Sequence, residues 1–384
     1  MLTIRDLTAD DLDQAFDVRL RSFGPLEPGR RAWWDRLQLG VFAQGRALGA
    51  FEDGRLVATA KARAFRQLWG GRGMAMAGIQ GVVVAPHARG RGVGSRLLRA
   101  LMARGVELGD LVSALYPATV VPYRRLGWEL AGNRHRVSID ARLLRELPTG
   151  PSVRPAGPAD AETVIALAQR LHTQSRSNGP RLWDVDEARE DLEDADTFAY
   201  LADDGVCIYG WDGEDLRVRA LLAGDAATAQ ALWAVVGSGS STAKTVHAYL
   251  APDDPVHHLL AETVAPQTQQ QRWMLRLLDA PAAVAARGFP AGVLGSAGLV
   301  VDDPELASGG GSWRFEIAGG RAQLLPAPVG DGPRMGPGAL ACLYAGTPLH
   351  LLRAAGLVAG GSPAADKLLD AAFAGRPAYL LDYF

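Results

Sequence analysis

The run Met74–Val84, followed by Pro86 and then Arg89-Gly90-Arg91-Gly92-Val93-Gly94, limits what this chain can become more than any other segment. An apolar run closed by proline reads as a buried strand. Behind it Val93, Leu97, Leu98, Leu101 and Met102 recur at helical spacing, with Arg96, Arg99 and Arg104 on the other side. A strand that turns through glycines into a helix points to an α/β layer architecture. Glycines let backbone N–H groups converge with no Cβ in the way, and the helix start adds partial positive charge. The turn is therefore a candidate cradle for a diphosphate, with the charges of Arg89 and Arg91 beside it.

Other phosphate-binding readings fail on spacing. A dinucleotide fingerprint needs a third glycine where this chain has Ser95, and an acidic residue at a following strand end, whereas Glu107 falls beyond the helix. The run Gly237-Ser238-Gly239-Ser240-Ser241 is no phosphate loop, because Lys244 is not preceded by glycine.

The 384 residues exceed what one hydrophobic core usually supports, so two or three domains are expected. A formal net charge of −2 with no long basic block argues against a nucleic-acid partner. Cys207 and Cys342 are too few and too far apart for a disulfide framework or a metal site. The N-terminus lacks a basic, then apolar leader, and no apolar run reaches the roughly 18 residues of a membrane span, so a cytoplasmic protein without membrane association is expected.

The first 140 residues read as alternating strands and helices: a strand at Thr3-Ile4-Arg5, then a helix capped by Asp10 or Asp11 with Leu12, Phe16 and Leu20 on one face. A hairpin turning at Glu52-Asp53-Gly54 follows. Val153-Arg154-Pro155 followed by Asp160 repeats that opening about 149 residues later, which a tandem duplication explains. The second unit has no glycine turn after its strands, and the Gly237–Ser241 run sits where one is looked for. From about Gln271 a helix with Trp273, Leu275, Leu277 and Leu278 is expected to open a small α+β region.

A second element lies about 30 residues beyond the glycine turn, at Leu115-Tyr116 and Val121-Pro122-Tyr123-Arg124-Arg125-Leu126-Gly127-Trp128. The pattern of Arg89, Gly92 and Gly94 after an apolar strand resembles the acetyl-CoA loop of the GNAT N-acetyltransferase superfamily. With Tyr123 at a helix start, the whole chain resembles the Eis (enhanced intracellular survival) family. That resemblance implies tandem GNAT-like domains, mixed central sheets flanked by helices, followed by an α+β domain similar to sterol carrier proteins. The expected division is 1–142, catalytic; 143–268, degenerate; and 269–384.

The resemblance further implies acetyl-CoA as acetyl donor, held by Val82, Val83, Val84, Arg89, Gly90, Arg91, Gly92, Val93 and Gly94. Tyr123 then acts as general acid; a phenol of pKa about 10 stays protonated at neutral pH and can serve a departing thiolate. Pro117 and Pro122 depart from a turn that is often Gly-rich in the family. The resemblance also gives the Phe384 carboxylate the part of assisting base, where the residues alone read as a packed final strand. It implies a homo-oligomer, a hexamer.

The acceptor is expected to be a primary amine: an aminoglycoside, a polyamine or a lysine side chain. Amines are cations before they react, so aromatic walls and carboxylates are sought. Phe23, Trp33 and Trp34 are the aromatic candidates, with one of the adjacent tryptophans turned to the core, and Asp35 and Asp382 are the acids. The acidic stretch from Asp184 to Asp196 reads as a solvated face, and His87, His257 and His258 make no zinc-like set, so no metal is expected. Neither cysteine lies near the motif, which favours direct transfer. An apolar-ligand binder and an acetyl-CoA sensor without turnover are the alternatives.

Overall fold

The computed structural model describes residues 1–262, 268–328, 330 and 332–384. The first unit begins with β1 (Leu2–Asp6), α1 (Leu12–Phe23), α2 (Arg31–Ala43), β2 (Ala47–Glu52), β3 (Arg55–Trp69) and β4 (Arg72–Val84). It continues through α3 (Val93–Glu107), β5 (Val112–Leu115), α4 (Val121–Arg124) and β6 (Glu129–Asp140). After α5 (Ala141–Arg145) the second unit runs β7 (Arg154–Ala156), α6 (Ala161–Gln174), β8 (Arg181–Leu182), α7 (Val185–Glu193), β9 (Thr197–Ala202), β10 (Gly205–Asp212), β11 (Asp215–Ala223), α8 (Ala226–Gly237), β12 (Thr245–Leu250) and α9 (Val256–Leu259). Among the described residues, thirteen strands make one mixed sheet, whose main path is β1-β2-β3-β4-β5-β13-β6-β12-β11-β10-β9-β7, with β13 spanning Thr268–Leu277.

The strand β13 replaces the helix expected over 271–278. It lies between β5 and β6, antiparallel to both. Trp273, Met274, Leu275 and Leu277 are all buried, so both faces of the strand are covered and no alternation marks it in the sequence. The helix α1 also differs from expectation: it buries Ala15 and Val18, while Leu20 is exposed. The Gly237–Ser241 run ends α8 and does not precede it; Asp225 caps that helix from the Thr228 N–H.

The two openings do match. Arg5 pairs with Asp11 and Arg154 with Asp160, each at 2.7 Å, and each aspartate stands at the N-cap of the following helix. In both units the central parallel pair separates soon after it forms. Contacts between β4 and β5 run only over Met76–Gly78 and Val112–Ala114, and those between β11 and β12 only over Leu216–Val218 and Val246–Ala248.

The third unit has α10 (Ala280–Ala286), β14 (Gly295–Val301), β15 (Gly311–Ala318), β16 (Arg321–Pro326), β17 (Pro333–Met335), α11 (Pro337–Tyr344), α12 (Leu349–Ala354), β18 (Val358–Gly360) and α13 (Pro363–Phe373). Its sheet is ordered β16-β15-β14-β17-β18. The interior closes around the buried Arg287 guanidinium, which donates to the Tyr344 and Phe373 carbonyls and faces the rings of Phe289, Tyr344 and Phe373. One apolar cluster runs from this interior through Trp69 and Trp273 into the first unit. A buried pair, Arg276 and Asp303 at 2.7 Å, joins β13 to the third unit.

Candidate active site

The separation of β4 from β5 leaves the β5-side edge of β4 unpaired beyond Gly78. Val82, Val83 and Val84 lie on this stretch; Val83 is buried among α1 and α2 residues, and Val82 and Val84 pack toward α3. Gly81 interrupts the strand at φ +56° beside a register shift in the β3–β4 pairing. At the end of β4, Gly90 and Gly92 take φ of +75° and +76°, values that side chains rarely adopt. A Cβ at either would meet nothing within 4 Å, so the backbone there is open to approach. Gly92 is the N-cap of α3, whose first N–H groups, from Val93 and Gly94 on, have no intrahelical acceptor.

This cradle fits a diphosphate: open backbone donors, a fifteen-residue helix behind them and a split strand pair alongside. The arginines are less free than their charges imply. Arg91 makes two bonds to Glu52, the longer 3.0 Å, and Arg89 donates to the Val84 carbonyl at 3.0 Å and to Ser22 at 3.3 Å.

Tyr123 sits in α4, with its ring set edge-on against Trp128 at 6.1 Å. Gly127, at φ +88°, turns the chain back into β6; a Cβ there would lie 1.9 Å from Arg276 Nη1, so the interunit pair and this turn require each other. Burial pushes the Tyr123 phenol up to about 12, and Tyr383 is close enough to add to the effect.

That proximity arises because the chain's last residues cross both units. Tyr379 and Leu381 pack against Ala220 and Ala251, in the split of the second unit. Tyr379 pairs with Asn133 of β6, and Arg134 donates to the Leu381 carbonyl at 2.9 Å. Asp382 is held by Arg181 at 2.7 Å, and its carbonyl accepts from the Tyr116 hydroxyl at 2.7 Å. Tyr383 stacks on Tyr116 at 4.6 Å, and the Phe384 ring rests 5.2 Å from Phe65. A Cβ on Gly78 would be 3.2 Å from that ring. Phe384 therefore lies at the crotch where β4 and β5 part.

Beside it opens a cleft of about 840 Å³ between α2 and α7, lined by Trp33, Arg63, Phe65, Arg181, Trp183, Glu187 and Asp191 among others. A neighbouring hollow of about 260 Å³ shares Arg181, Trp183, Glu187 and Asp191 and reaches Asp382 and Tyr383. Of the adjacent tryptophans, Trp33 lines the cleft and is 46% exposed, whereas Trp34 is 7% exposed and packs edge-on against Phe16. Phe23 is exposed at the end of α1, Asp35 is bound by Arg31 at 2.6 Å, and Asp382 is occupied by Arg181. Part of the acidic stretch turns inward: Glu187 pairs with Arg181, Asp191 with Arg219. The sequence assigns no site role to Lys61, Arg63, Phe65 or Tyr116. Only Tyr116, directly after β5, carries a local signal.

Comparison with known proteins bears on the whole chain. Residues 3–131 match an acetyltransferase (GNAT) domain model, residues 176–277 a second model of that description, and residues 280–381 a sterol carrier protein domain. The N-acetyltransferase Eis of Mycobacterium tuberculosis is 31% identical over 319 residues, which covers 78% of each chain. This chain belongs to the Eis family of GNAT N-acetyltransferases. A GCN5-related N-acetyltransferase from Kribbella flavida is 49% identical and superposes with a TM-score of 0.98, over all of this chain and 98% of that one. Eis1 from Mycobacterium abscessus, 23% identical, shares the fold, with a TM-score of 0.79 over the full length of both chains. The Eis-type order of two GNAT units and a sterol-carrier-like unit thus accounts for the architecture, and the protein is an acetyltransferase. No helix among the described residues is long and apolar enough to cross a membrane.

Proposed function

We propose that the protein is an acetyl-CoA-dependent N-acetyltransferase that acetylates a primary amine bound in the cleft between the first and second units. The observation that carries this reading is the seating of Phe384 on Gly78 and Phe65, at the parting of β4 and β5 and beside the cleft. Val82, Val84 and the Gly90–Gly94 backbone would hold the donor's pantetheine arm and diphosphate. Acetyl-CoA, when bound, supplies an acetyl thioester, so that a C–N bond forms to the amine as the C–S bond breaks.

The chain's own groups manage the protons. Tyr123 holds a phenolic proton in a half-buried setting and gives it to the departing sulfur; its raised pKa keeps that proton in place across the working pH range. The Phe384 carboxylate takes the proton the amine loses, directly or through water. Trp33 and Phe65 line the cleft that the amine enters, with their rings already facing Arg30 and the pair Arg63 and Arg181. Cys207 and Cys342 are both buried with their thiols pushed up, which supports direct transfer without an acetyl-enzyme. The same reading includes a homo-oligomer, a hexamer, which light scattering measures.

Time-dependent thiol release from acetyl-CoA with a panel of polyamines, aminoglycosides and lysine peptides tests the proposal. Turnover is expected with at least one amine. Saturable acetyl-CoA binding without thiol would make the protein a sensor instead.

A further inference from the structure

One face of β3 carries an unusual set of side chains, running from the small hollow under α1 and α2 that Lys61 lines to the large cleft that Arg63 lines. Lys61 and Arg63 follow each other on it, opposite Gln80 and Gly78 of β4. The Lys61 ammonium lies over the Gly81 interruption, 3.2 Å from where a Cβ would stand, and it donates to Gln38 Oε1. The Arg63 guanidinium faces the Phe65 ring at 4.8 Å and lines the large cleft. Among the described residues neither cation has an ion-pair partner, and that includes the Phe384 carboxylate.

Three other sequestered cations of this chain are neutralised by carboxylates, while Arg287 is held by two carbonyls and by aromatic rings. Arg46 is paired with Asp110, Arg181 with Glu187 and Asp382, and Arg276 with Asp303. Leaving two neighbouring cations in a half-buried site without a carboxylate is costly, because each loses hydration and repels the other. Glu187, whose charge acts on Arg63, is already paired with Arg181. Burial and the charges of Arg63 and Arg19 hold Lys61 down to about 8, still mostly protonated at neutral pH. Arg63 pairs with Gly78, where the chain's end meets the split, and Lys61 stands one same-face position farther along β3, about 7 Å away.

We infer that the preferred acceptor is an amine that carries an anionic group, such as a carboxylate, a few atoms from the reacting nitrogen, and that Lys61 and Arg63 bind that anion. This rests on the acetyltransferase reading above and narrows its substrate class. The anion satisfies the two cations while the amine turns toward Phe384 and the acetyl carbon, so the pair acts as a specificity determinant and takes no part in proton transfer.

Matched amines that differ only by the anion test this. The kcat/KM for thiol release is compared for L-lysine against cadaverine, L-ornithine against putrescine, and phosphoethanolamine against ethanolamine. At least a tenfold preference for the anionic member of a pair is expected, and the pair that shows it separates carboxylate from phosphate. The preference should fall about tenfold or more in Lys61→Met and in Arg63→Met, with Arg63→Lys keeping part of it, and unchanged melting temperatures would verify that the variants fold. Turnover that is equal for both members, or better without the anion, overturns the inference and leaves the acetyltransferase reading intact. Absence of thiol release with every amine overturns that reading instead. Calorimetry then still decides the inference: L-lysine binding no more tightly than cadaverine would refute it.

Discussion

Tyr123 and the glycines of the α3 turn carry the sharpest consequences at the level of single residues. Replacing Tyr123 by Phe keeps the ring against Trp128 and removes only the proton, so kcat should drop about 10²–10³-fold with the amine KM little changed, as read in steady-state kinetics. Because the phenol titrates at about 12, the rate should climb with pH as the amine deprotonates and show no descending limb below pH 10. Gly92→Ala forces a side chain into φ +76°, and roughly tenfold weaker acetyl-CoA binding is expected by titration. His172 in α6 gives a stability effect. Burial holds it down to about 4, while an unfolded chain binds its proton near 6.5. Above pH 6.5 both states are neutral; between 6.5 and 4 the unfolded state takes a proton the native state refuses. Stability should therefore fall by roughly 3 kcal/mol across that window, and His172→Gln should flatten the fall in denaturant melts. The glycine turn and Tyr123 were legible because each is a local pattern. Lys61, Arg63 and Phe65 were not, since which face of β3 they share depends on an irregularity near Gly81 that only pairing reveals.

At the scale of elements, the strand–turn–helix, the hairpin at Asp53-Gly54 and the repeated opening could be read from the chain, because turn chemistry and capping aspartates are short-range signals. The central strand β13 could not. Its apolar residues run continuously because neighbours cover both faces, and Arg276 within it looks like a helix-surface residue until Asp303 is found beside it. That pair is fully enclosed, so Arg276→Ala, which strands a buried carboxylate, should cost about 3–5 kcal/mol in urea unfolding. The double variant Arg276→Met with Asp303→Leu should recover most of the loss. The inward side of the acidic α7 has no local signature for a similar reason: Glu187 is drawn inward by Arg181, six residues away and on another element.

For the molecule as a whole, the three units behave as one body, because β6 and β13 knit the sheet together and the third unit's core continues into the first. Adding a few residues beyond Phe384 moves the terminal carboxylate away from the split. It should lower kcat by at least 10²-fold while the melting temperature stays within about 2 °C, since Tyr379 and Leu381 still anchor the preceding segment. The crossing of that segment has one more implication. Asp382 meets Tyr116 across 266 positions of sequence, so the proposed reacting centre is finished by the part of the chain farthest from it. Any loosening of the third unit is therefore felt at the chemistry before the sheet itself gives way, and on gentle heating turnover should fade while the secondary structure is still whole.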